Sequence, residues 1–78
     1  MLRWLQAFMF RTGWQWQGRL NDQIIVTLQP TNAIETNWSM TLMGMDNTQT
    51  TETLTGLDLD GAQITAKIAL TKLGWPLS

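Results

Sequence analysis

Between Gly13 and Gln29 the chain alternates apolar and polar side chains around one polar break. Trp14, Trp16 and Leu20 fall on one side, with Gly18 among them, while Gln15, Gln17 and Arg19 fall on the other. A period of two belongs to an extended strand, whose successive side chains point to opposite faces. Ile24, Val26 and Leu28 alternate in turn with Ile25, Thr27 and Gln29, and Pro30 ends the run. Asn21-Asp22 is a polar break of hairpin length. Residues 13–29 therefore predict a β-hairpin with one strongly apolar face.

Two later stretches extend the β pattern. Ile34, Thr36, Trp38, Met40 and Leu42 alternate with Glu35, Asn37, Ser39 and Thr41, and Gly44 follows. This predicts a strand over 36–44. Residues 31–37 stay open between helix and strand, because Asn32 and Glu35 also have the spacing of a capping box. Further on, Asp60-Gly61 is a favoured type I′ turn. It would pair Leu59 with Ala62 and Leu57 with Ile64, and Ala66, Ile68 and Leu70 continue the apolar side. Leu54 is out of phase with Leu57, which a β-bulge near Thr55-Gly56 would repair.

Residues 2–10 read differently. Only Arg3 and Gln6 are polar, and on a helix they share one narrow stripe. The expectation is a short apolar helix over 1–11, stopped by Gly13. The full expectation is one domain, residues 1–78. It is mainly β, with about five antiparallel strands within 13–73 forming a strongly curved sheet or small barrel. The N-terminal helix packs on it, and 74–78 is a tail whose Pro76 cannot extend a central strand.

Composition narrows the function. The 78 residues include no Cys and no His. That removes disulfides, thiolate metal sites and the commonest general base. No Tyr is present either, and the six carboxylates are scattered. Asp58 and Asp60 are two apart and would face the same way on a strand, but they mark a solvated strand end leading into a turn, where Asp is routine. A calcium loop aligned on Gly61 would place Gly56 and Lys67 at its first and last ligand positions, where neither can serve. No enzyme activity, cofactor or metal is expected. Arg3, Arg11, Arg19, Lys67 and Lys72 form no basic stripe, so no nucleic-acid partner is expected. The apolar run Ala7–Phe10 is too short for a signal peptide or a bilayer span. A cytoplasmic location is the expectation.

A chain this short buries a small share of its surface. Bulk from five Trp and five Met is one remedy, and self-association is another. With only 14% charged residues, the surface is weakly self-repelling. The expected function is a non-enzymatic interaction or assembly module acting as a homo-oligomer, most simply a dimer. Its candidate interface is Leu2, Trp4, Leu5, Phe8 and Phe10. A second expectation is a small-molecule or carbohydrate-binding module using Trp14, Trp16 or Trp38 as a stacking surface. Against it, alternation sends the neighbouring glutamines to the other face. A third is peripheral membrane association through residues 1–10, for which Arg3 and Arg11 offer little attraction to anionic headgroups.

Overall fold

The structure, a computed structural model describing residues 1–77, places its central hairpin where the alternation does. Strand β2 spans Gly13–Leu20 and β3 spans Gln23–Pro30. Asn21 and Asp22 join them with φ of 50° and 67°. Both are positive, as a type I′ turn requires, and Asn and Asp tolerate that region better than most residues. The ladder is interrupted once. Gly18 pairs with Val26 and Arg19 with Ile24, so Ile25 is the extra residue of a bulge. The bulge lets Ile25 and Val26, adjacent in sequence, both be buried.

Strand β4, Trp38–Met43, pairs antiparallel with β3, and β5, Gln49–Leu54, pairs with β4. Residues 31–37 are neither helix nor strand. Asn32 organises them: its Oδ1 accepts from the Thr36 and Asn37 amides, and its Nδ2 donates to Thr36 Oγ1.

Residues 3–9 are a strand, not a helix. Arg3–Met9 forms β1, in continuous antiparallel register with β2 from Arg3 opposite Arg19 to Met9 opposite Gly13. The stretch has too few polar residues to show a period, and β2 supplies the partner that the helical reading ignores. Gly13, at φ 83°, ends the connection in a conformation that only glycine adopts cheaply.

The Asp60-Gly61 hairpin is also corrected. Leu59–Lys72 is one α-helix, α1, and Asp58 is its N-cap, accepting from the Gly61 amide at 2.8 Å. Ala62, Ala66 and Leu70 are buried, four residues apart on a single stripe. The two alanines let the helix lie close over β3 and β4. The strands therefore end at Leu54. No bulge forms at Thr55-Gly56; Gly56 instead turns at φ 70° into the connection to the helix.

The sheet order is β1-β2-β3-β4-β5, so β1 and β5 are edges and no barrel closes. The helix, rather than curvature of the sheet on itself, covers the apolar face. The core between them contains Ile25, Val26, Leu28, Trp38, Met40 and Leu42 from the sheet and Ala62, Ala66 and Leu70 from α1. Trp38 is fully buried and donates from Nε1 to the Leu57 carbonyl at 2.9 Å, tying β4 to the segment before the helix. After Gly74, at φ 98°, Trp75 Nε1 donates to the Met43 carbonyl at 2.7 Å and Leu77 is buried. The tail is thus part of the packing; Ser78 lies outside the described residues.

Candidate functional site

The helix lies over β3 and β4, and the far end of β1, at Phe8 and Met9, stays exposed. Strand β1 pairs on one side only. Along its other side alternate residues aim unpaired N–H and C=O groups outward, a template for a further strand. Natural edges are usually blunted by charge, proline or bulges. From Trp4 to Phe10 this edge has none of the three.

Its side chains are apolar on both faces. Leu2, Trp4, Gln6, Phe8 and Phe10 alternate with Arg3, Leu5, Ala7 and Met9. Leu2 and Trp4 pack partly against the core. Leu5 and Met9 are exposed, Phe8 is 60% exposed and Phe10 is 92% exposed. The structure thus gathers all five candidate interface residues on or beside one strand, and adds Met9. An apolar run between Arg3 and Arg11, interrupted only by Gln6, was the available signal, but a helical reading spreads these residues around a cylinder instead of along an edge.

The three candidate stacking tryptophans have different fates. Trp38 is in the core and presents no surface. Trp16 is half-buried against the core. Trp14 is 55% exposed and meets Phe8 edge-to-face, with ring centroids 5.3 Å apart and planes at 71°. That corner belongs to the same exposed β1–β2 end. Trp4 also lines a hollow of about 300 Å³ with Asp60, Gln63, Ile64 and Lys67, so the edge and the outer surface of α1 share a wall. Ile64 and Ile68 are exposed on that helix surface, beside Lys67 and Lys72.

The opposite face of the sheet is polar away from β1. Register places Gln17, Thr27, Thr41 and Thr51 in one row across β2 to β5, and Thr41 and Thr51 hydroxyls share a hydrogen bond of 3.2 Å. Among the described residues, no three carboxylates converge in a way that could hold a metal ion. No helix among them is long and apolar enough to cross a membrane. No family model, curated protein or solved structure matches this chain.

Proposed function

We propose that the protein is a non-enzymatic, cytoplasmic assembly module whose β1 edge pairs with the β1 edge of a second copy. The observation that carries the reading is an unprotected edge strand with apolar side chains on both faces. A second identical copy fits it because the strand is self-complementary when read antiparallel about a two-fold axis through Gln6. Leu2 then lies opposite Phe10 of the second copy, Trp4 opposite Phe8, Leu5 opposite Ala7 and Arg3 opposite Met9. Gln6 meets Gln6, and side-chain amides can bond one another. An axis through Ala7 would instead set Arg3 against Arg11, and directly opposed like charges are destabilising. Two-fold pairing is also the commonest closed arrangement of identical chains. The edge of β5 is a poorer partner, since its exposed residues are Gln49, Thr50, Thr51, Glu52 and Thr53.

The test uses the absence of native cysteine. Opposed residues of an antiparallel pair have Cα atoms about 4.5–5.5 Å apart, within the reach of a disulfide. Gln6→Cys should therefore give an intermolecular disulfide under mild oxidation, and Ala7→Cys should not. Phe8→Lys should convert a light-scattering dimer to a folded monomer. A wild-type chain that stays monomeric at high concentration would defeat the proposal.

A second reading, a stacking site for a planar or sugar ligand, is favoured by the exposure of Trp14 against Phe8. Saturable quenching of Trp14 fluorescence by such ligands, lost in Trp14→Ala and retained in the Phe8→Lys monomer, would select it.

A further inference from the structure

We infer that the open end of the β1–β2 ladder, on the face away from the helix, is a binding site for a small oxyanion carried by a carboxylate or a phosphate group. Arg3 and Arg19 are direct cross-strand partners there. Like charges so placed repel one another, and an anion between them would remove the repulsion. Both line a cavity of about 290 Å³ together with Met1, Leu5, Asn21 and Asp22. That volume suits a small molecule rather than a macromolecular segment.

Arg19 is prepared for such a ligand. Its Nη2 donates to Gln17 Oε1 at 2.8 Å. Gln17 is only 6% exposed, although it lies on the open face, so it is a fixed support for the guanidinium. Arg19 Nε is buried without a hydrogen-bond partner among the described residues. A guanidinium deprived of part of its hydration and held in place attracts an anion more strongly than one free in water. Its planar fork matches carboxylate and phosphate oxygens alike. The Asn21 side-chain amide adds a donor to the lining, and Leu5 and Met1 supply an apolar wall for a short alkyl group. Asp22 lines the same cavity and opposes an incoming anion. Two arginines against one carboxylate still leave the pocket positive.

The inference does not rest on the assembly reading, which leaves Arg3 opposite an uncharged residue. Titration of the ¹⁵N-labelled protein, followed through backbone amides and the arginine Nε–H signals, tests it. One arm uses inorganic phosphate and the other uses butyrate, which separates the two sources of the oxyanion. The expected result is saturable shifts at Arg3, Arg19, Asn21 and Asp22 with at least one of the two probes. Arg3→Gln should weaken binding on the order of tenfold, the usual effect of losing one charged contact. Asp22→Asn should tighten it about threefold by removing an opposing charge near the surface. Asn is tolerated at the positive φ of that turn, so the hairpin should survive. Arg19→Gln should abolish saturation; its amide spectrum shows whether the fold is kept. Phosphate also stabilises proteins non-specifically, so a melting-temperature rise counts only where Arg3→Gln loses it. Unsaturable shifts with both probes, equal shifts in wild type and Arg3→Gln, or no tightening in Asp22→Asn would each overturn the inference.

Discussion

Replacing Gly18 with Ala should destabilise the protein, although alanine ordinarily suits a strand better than glycine. Gly18 lies in β2 beside the bulge, and its backbone is outside the positive-φ region, so a methyl group causes no backbone strain. The added Cβ would sit 2.5 Å from Val26 Cγ1, and 3.3 Å from both Leu2 Cδ1 and Trp4 Cη2. Carbon atoms pack best at roughly 3.5–4.0 Å, so the first contact overlaps by about 1 Å. Val26 is almost wholly buried, and its β-branched side chain is stiff at χ1. Relief must come from an off-rotamer valine or from parting of β2 and β3. Overpacking of this kind costs about 1–3 kcal/mol. Lower entropy of the unfolded chain returns about 0.4–1 kcal/mol. The net loss is on the order of 1–2 kcal/mol, equivalent to roughly 5–15 °C in melting temperature for a domain of this size. Urea denaturation with Val26→Ala as the second mutation provides the decisive cycle. Val26→Ala alone should leave a void costing on the order of 2 kcal/mol. In the double mutant the new methyl group occupies that void, so the combined loss should fall short of the sum by about 1–2 kcal/mol. Additive losses, or a Gly18→Ala protein as stable as wild type, would refute the close approach of Gly18 to Val26.

Trp38→Phe should cost about 2–4 kcal/mol, because it opens a void and strands the Leu57 carbonyl; a loss below about 1 kcal/mol in urea would show that the indole bond contributes little. Asp58→Ala should remove about 1 kcal/mol and reduce the helical circular dichroism signal, and no change in either would contradict the cap. Asp46 is held below the usual carboxylate range, first by the Thr48 hydroxyl at 2.6 Å and then by the Thr48 amide at 3.1 Å. A lowered folded-state pKa means that its contribution is present above the unfolded pKa and lost as pH falls through the folded one. The Thr48 amide resonance should therefore move in acid, and Asp46→Asn should remove that titration; a Thr48 signal indifferent to the substitution would sink the assignment.

How much of this architecture the chain reveals by itself depends on whether one side of each element is polar. In 13–30 and 38–43 it is, so the alternation exposes all three strands. Asn21-Asp22 then defines the turn, because few residues other than glycine tolerate two successive positive φ values. Residues 3–9 have polar side chains only at Arg3 and Gln6, too few to distinguish a period of two from one of 3.6. Pairing with β2 decides that they are a strand, and their place at the end of the sheet decides that Phe8 and Met9 remain exposed. In 59–72 the ambiguity is arithmetic. Ala62, Ile64, Ala66, Ile68 and Leu70 occupy every second position, but a spacing of four is contained within a spacing of two. On a helix the set divides, with Ala62, Ala66 and Leu70 turned to the sheet and Ile64 and Ile68 turned outward. Asp58 capping the Gly61 amide and the alanines' preference for helix favour that division locally. The apolar face of β3 and β4 completes it, because burying that face under a helix leaves the sheet open and its β1 edge free.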